Sequence, residues 1–318
     1  MGDDIETDNL LQKDITVCIC TYNNHVRLFN CMQRLTNQSI EADVYDVIIV
    51  DNGTTNSGCR FDICKKFADK HKNFKYIVKQ TDGLSGARNE CISQSNSKLI
   101  HFVDDDVLVN FNFVENTIKC FDRHENLAVL GGRVVPNWSE TNRPNWMCDT
   151  ALHFLSMLDF GDEEKWFGEI DGMWLVGANI CFRKSVLIKY GNFSTELGRK
   201  GGTRSLMGAE EMNLIYQMKH TEKILYSPHV EVEHIVPVSR SNKNWFIRRV
   251  AWQAVSDVMT NTTYLENPGT WSNNKKGYDY IKDNIDSLFS DTSNSVEFCE
   301  LLKLVKMLSF WLLNDFKK

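Results

Sequence analysis

Three short, β-rich apolar runs, Ile15–Cys20, Val44–Val50 and Leu99–Val103, each stop abruptly at a polar cluster. The clusters are Thr21-Tyr22-Asn23-Asn24, Asp51-Asn52-Gly53-Thr54-Thr55 and Asp104-Asp105-Asp106. Between the runs, Leu28, Met32 and Leu35 recur at helical spacing. Helices are expected over Asp62–Lys70 and near Ala87–Gln94, with a further strand at Tyr76–Lys79. Strands alternating with helices at these intervals predict βαβ units and a mostly parallel sheet, so the fold class is α/β. Such sheets bind ligands beyond the carboxyl ends of their strands, and all three clusters fall there.

From about Leu127 the pattern changes. Leu127–Val135 and Met173–Phe182 read as longer strands, separated by an irregular stretch rich in tryptophan, Trp138 to Gly168. A helix near Glu211–Lys219 and a strand at Val230–His234 follow, and beyond Pro237 the chain reads as helical. The expected organisation is a polar lead-in over 1–14, an α/β domain over 15–236 and a helical extension over 237–318.

At 318 residues the chain is long enough for a full α/β core plus that extension. A net charge of −6 leaves no basic footprint, which argues against nucleic acid as the main partner. A phosphate-bearing ligand stays open, because a bound cation reverses the sign of a small site. The N-terminal residues lack the charge and apolar pattern of a secretory signal, and no uncharged apolar run is long enough to cross a bilayer. A cytoplasmic location is expected. The ten cysteines are scattered and form no CxxC pair, so reduced thiols are expected rather than disulfides or a structural zinc site.

Three adjacent carboxylates at Asp104-Asp105-Asp106 repel one another unless solvent or a cation relieves them. A solvated acidic turn is one reading; the other is Mg²⁺ or Mn²⁺, held by one or two carboxylates and the phosphates of a ligand. Gly83-Leu-Ser-Gly-Ala-Arg88-Asn89 sets glycines before a helix start carrying an arginine, and both features suit phosphate. Glu210 and Glu211 stand at another helix start, where the helix dipole alone would favour them. The alternative there is a general base able to take a proton from a hydroxyl.

Taken in order, Cys20-Thr-Tyr-Asn23, Val50-Asp-Asn-Gly-Thr54, Gly83…Ala87-Arg-Asn89, Asp104-Asp-Asp106, Gly177-Ala-Asn179 and Glu210-Glu211 resemble the motif series of family two glycosyltransferases. The resemblance runs from about Ile15 to Asp257. It implies the GT-A fold and an inverting, metal-dependent transfer of a sugar from a nucleotide-sugar donor, UDP-sugar favoured, to a hydroxyl of a glycan or lipid-linked acceptor. Position by position, Thr21, Tyr22, Asp51 and Asn52 match the wall that receives base and ribose; Asn52 replaces the family's frequent second aspartate. Gly83, Arg88, Asp104 and Asp105 fall at the donor site, and Gly177 and Asn179 at the strand lining the sugar pocket. Asp106, Asp104 and His234 are the implied holders of Mn²⁺ or Mg²⁺. Glu211 is the implied base, with Glu210 in reserve because the family's usual pair is Glu-Asp.

Two competing readings remain open at this point. A sugar-phosphate nucleotidyltransferase would carry a basic glycine-rich loop after its first strand, where this chain has Thr21-Tyr-Asn-Asn24. A binding module without catalysis would not need both metal and base candidates. The apolar stripe of Val296–Leu313 suits packing on the catalytic domain or a second subunit, and Phe310, Trp311, Lys317 and Lys318 would also suit peripheral contact with a membrane surface.

Overall fold

The computed structural model describes residues 13–53, 59–201, 203, 205–260 and 295–315. All but the last two residues of the lead-in therefore lie outside the described residues, as do 261–294 of the helical extension.

The first half follows the alternation read from the sequence. β1 (Ile15–Thr21) is followed by α1 (His25–Leu35), then β2 (Tyr45–Asp51), α2 (Cys59–Ala68), β3 (Phe74–Val78), α3 (Gly83–Gln94) and β4 (Leu99–Asp104). β1 pairs in parallel with both β2 and β4, and its side chains are buried on both faces, as a central parallel strand requires. α1 buries Leu28, Cys31, Met32 and Leu35, one face at helical spacing. α3 starts at Gly83, four residues before the expected Ala87. Gly83 has φ +73°, and an added Cβ there would lie 2.7 Å from the Arg199 carbonyl oxygen. The glycine thus opens the helix rather than preceding it.

The second half comprises β5 (Val107–Val109), α4 (Phe113–Arg123), β6 (Leu127–Asn137), β7 (Lys165–Trp166), β8 (Asn179–Arg183), α5 (Lys184–Tyr190), α6 (Glu210–Met218) and β9 (Lys223–Ile235). The strands form a single mixed sheet in the order β3-β2-β1-β4-β8-β6-β9-β5, with β7 on β9. β8 runs antiparallel to both β4 and β6, while β6 and β9 are parallel.

Two expectations are corrected here. Met173–Phe182 is a strand only from Asn179. The Leu175 and Gly177 amides instead donate to the Met212 sulfur at 3.2 Å and the Glu211 Oε1 at 3.1 Å, so side chains of α6 take the place of a strand partner. β9 begins seven residues before the expected Val230. The early part was hidden by Pro228, which sits where the register against β6 shifts between Gly132 and Arg133.

α7 (Lys243–Thr260) and α8 (Ser295–Asp315) pack together, with Trp146 set edge-on against Phe246 and Phe298 at centroid distances of 5.5 and 4.8 Å. Cys148 and Cys299 form a disulfide across 151 positions, tying α8 to the irregular middle. The expectation of reduced thiols throughout is corrected by this pair. Among the described residues, no helix is long and apolar enough to cross a membrane.

Candidate active site

Beyond the carboxyl ends of β1 and β4 opens a cavity of about 560 Å³. Its acidic corner is built by strand pairing. Val107 of β5 lies opposite His234 of β9, and the Ile235 amide donates to the Asp106 carbonyl at 2.9 Å, so His234 is carried against Asp106. The His234 Nε2 lies 2.8 Å from Asp106 Oδ1, and its Nδ1 lies 2.9 Å from the Leu155 carbonyl oxygen. Burial alone would lower the imidazole, but the Asp106 carboxylate outweighs it and raises its pKa. Asp106 shows the converse. Burial would raise it, yet His234, with Arg240 and Arg199, holds the carboxyl well below its ordinary range.

Asp104, Asp106 and His234 can each offer one ligand atom, all within 4.8 Å of one another. The donor set suits a divalent ion such as Mn²⁺, which accepts carboxylate oxygen and imidazole nitrogen. Second-sphere chemistry fits as well. The Leu155 carbonyl fixes a proton on Nδ1 and so aims Nε2 at the carboxylates, the usual support for a ligating histidine. The middle carboxylate points elsewhere: Asp105 accepts from the Thr21 hydroxyl at 2.6 Å and the Asn24 amide at 2.8 Å. Burial first, and the charge of Asp106 second, push it up to about 7.

A second pair of carboxyls stands at the start of α6. Glu211 accepts from the Gly177 amide through Oε1, while its buried Oε2 has no hydrogen-bond partner. Burial and the neighbouring Glu210 push the Glu211 carboxyl up to about 8. Glu210 is held by Arg88, whose Nη1 lies 2.5 Å from Glu210 Oε1. The same guanidinium places Nη2 3.7 Å from Asp104 Oδ1, so one buried cation joins the aspartate corner to the α6 glutamates. Gly177 makes room for it: a Cβ there would lie 2.1 Å from Arg88 Nη2.

Arg27, Arg199, Arg240 and Arg249 also line the cavity. Arg240 Nη2 lies 3.7 Å from Asp106 Oδ2. Several arginines beside a metal-competent acidic corner are suited to a diphosphate.

Thr21, Tyr22, Asn52, Arg88, Asp104, Asp105, Asp106, Gly177, Glu210 and Glu211 are brought together on the cavity wall. The half-exposed Tyr22 ring lies close over Gly53 and Gly201, where added Cβ atoms would come within 2.4 and 2.2 Å of it. Asp51, Gly83, Asn179 and His234 do not line the cavity, the buried His234 standing behind Asp106. The buried Asp51 carboxylate is engaged by His25 at 2.9 Å, Tyr76 at 2.7 Å and the Gly53 amide at 3.2 Å. Asn179, fully buried, faces His101 and donates to the Arg133 and Val230 carbonyls, closing the irregular β6–β9 pairing. Arg27, Arg199 and Arg249 escaped the sequence reading. Only Arg199 left a signal, in the basic, glycine-flanked run Gly198-Arg-Lys-Gly201.

Comparison with known proteins adds four findings. The family model described as Glycosyl transferase family 2 matches residues 16–191. Over 292 residues the chain is 22% identical to the glucosyl-dolichyl phosphate glucuronosyltransferase of Haloferax volcanii, covering 88% of each protein. Among solved structures, the mannosyltransferase PcManGT of Pyrobaculum calidifontis in complex with GDP-Man and Mn²⁺ superposes with a TM-score of 0.61 at 14% identity, covering 94% of this chain and 88% of that one. S. aureus TarS 1-349 in complex with UDP gives a TM-score of 0.52 at 17% identity, covering 77% of this chain and 65% of that one. At these identities the structural likenesses show the fold.

Proposed function

The chain belongs to glycosyl transferase family 2 and has the GT-A fold, and from that premise we propose that it is an inverting, metal-dependent transferase. Its donor is a nucleotide sugar, with a UDP-sugar favoured, and its acceptor is a hydroxyl of a glycan or lipid-linked glycan. The name of the Haloferax relative, with its dolichyl phosphate, supports a lipid-linked acceptor. Peripheral contact of α8 with a membrane surface would fit such a substrate.

The observation that carries this reading is the Glu211 carboxyl, raised to about 8 with one oxygen unpartnered, lining the same cavity as Asp104 and Asp106. In the proposed step Glu211 takes the proton of the acceptor hydroxyl as its oxygen forms the new bond to the anomeric carbon. The bond from that carbon to the diphosphate oxygen breaks, and the diphosphate leaves with the electron pair. A single displacement of this kind inverts the anomeric centre. Gly177 orients the base through its amide, and Arg88 keeps Glu210 ionically engaged beside it. Asp104, Asp106 and His234 would hold the divalent ion, which when bound neutralises charge on the diphosphate. Arg199 and Arg240 are placed to share that charge.

Nucleotide release from UDP-, GDP- and dTDP-sugars, measured with Mn²⁺ or EDTA, tests the proposal. One donor should be turned over in an EDTA-sensitive manner, and Glu211→Gln should lower transfer by roughly 10²–10⁴-fold while keeping nucleotide binding. Full activity in EDTA, or in Glu211→Gln, would overturn the metal or base assignment respectively.

A further inference from the structure

Next to the donor cavity lies a second, narrower one of about 80 Å³, and Arg249 and Glu211 line both. His153 of the irregular middle, Trp174 beyond it, Gln253 of α7 and Lys306 of α8 complete its polar and aromatic wall. Five buried polar atoms of its wall have no hydrogen-bond partner: Arg249 Nε and Nη1, His153 Nε2, Glu211 Oε2 and Lys306 Nζ. Lys306 Nζ lies 2.9 Å from Asp257 Oδ2, an ion pair without the geometry of a hydrogen bond. The other Asp257 oxygen already accepts from Gln253 at 2.8 Å.

Charge at this spot is unbalanced. Burial, then the charges of Lys306 and Arg249, drive the His153 imidazole down to about 3, so it is neutral. Burial and Arg199 lower the Arg249 guanidinium to about 10, which leaves it charged at neutral pH. Glu211 keeps its proton through neutrality. Lys306 is paired with Asp257, whereas Arg249 feels Glu210 and Asp257 only through their charge, and its Nε and Nη1 have no acceptor. Buried cationic donors without partners are costly, and an anion that accepts from both would relieve them.

We propose that the acceptor carries an oxyanion, a phosphate or a carboxylate, which docks in this second cavity on Arg249 and Lys306 beside the Glu211 carboxyl. The proposal rests on the transfer reading and names a substrate class for it. Trp174 offers an aromatic face for the sugar next to that anion. Phosphate and carboxylate make the same contacts with a guanidinium fork, so the two sources are separated by experiment.

The full-length protein, saturated with Mn²⁺ and whichever of UDP or GDP it binds, is titrated calorimetrically with methyl phosphate, methyl glucuronide and neutral methyl glucoside. Filling the donor cavity first removes its phosphate sites from the measurement. At least one anion should bind while the glucoside does not, and the tighter of the two identifies the source. Arg249→Gln should weaken that binding at least tenfold. So should Lys306→Met combined with Asp257→Asn, which removes both charges together and leaves no stranded carboxylate. Absence of anion binding to the nucleotide-loaded protein overturns the proposal, as does binding unchanged in the double variant. A loss confined to Arg249→Gln assigns that arginine to the donor's diphosphate and overturns it too. If neither nucleoside diphosphate binds, the transferase reading itself falls and takes this one with it.

Discussion

On the Glu211 carboxyl, burial and the adjacent Glu210 push upward, while the Arg88 charge and backbone hydrogen bonds, one from Gly177, pull down by less. With its pKa raised to about 8, the group is protonated at pH 6 and cannot accept a proton there. The kcat/KM for transfer should therefore climb about tenfold per pH unit below 8 and level off above it. Glu211→Gln should flatten that profile. Stability moves the opposite way. The folded value lies above the ordinary 4.5, so the folded chain keeps a proton that the unfolded chain has released between about 4.5 and 8. Raising the pH through that window costs stability, and Glu211→Gln removes the loss. Thermal melts at pH 9 should find the variant more stable than the wild type. A paired acid at a helix start was legible in the sequence, as was the aspartate triplet, because adjacent like charges demand a reason. The separate fates of Asp104, Asp105 and Asp106 were not legible, since they depend on Thr21 of β1, Asn24 in the turn before α1 and His234 of β9.

At the scale of elements, the parallel half of the sheet was readable because its strands are short apolar runs with polar stops. β8 and β9 were harder. The amides of Leu175 and Gly177 bond to side chains of α6, an arrangement no periodicity reports. The β6–β9 pairing in turn depends on a register shift stitched by Asn179. Gly132 sits at that shift, where a Cβ would lie 2.1 Å from the Val230 carbonyl oxygen and 2.2 Å from Asn179 Nδ2. Backbone on one side and a fully bonded amide on the other leave little room to give. Gly132→Ala should therefore cost about 1–3 kcal/mol, read as a lower midpoint in urea. An unchanged midpoint would mean that the strands separate there without penalty.

For the whole molecule, the Cys148–Cys299 disulfide holds α8 against the irregular middle, and α8 carries Lys306 into the second cavity. A link across 151 positions restricts the unfolded chain by roughly 5 kcal/mol in the loop-entropy treatment, an upper figure for what is measured. Dithiothreitol, or Cys148→Ser with Cys299→Ser, should lower the melting temperature and also weaken binding of an anionic acceptor fragment. Nucleotide affinity should be unaffected by either treatment, because no described residue of α8 lines the larger cavity. Cysteine spacing gave no hint of this pair. Its partners meet only after the helical extension has folded back on the domain.

Arg88 stands between the two ends of the reaction, 2.5 Å from Glu210 and 3.7 Å from Asp104. If Asp104 held a cation, Arg88 would be drawn less to that carboxylate and more to the glutamates, and Glu211 would shed its proton more readily. Thermodynamic reciprocity then fixes the converse: removing the proton from the base tightens the hold on the cation by the same factor. One guanidinium would then make readiness to deprotonate and readiness to load a single, shared property.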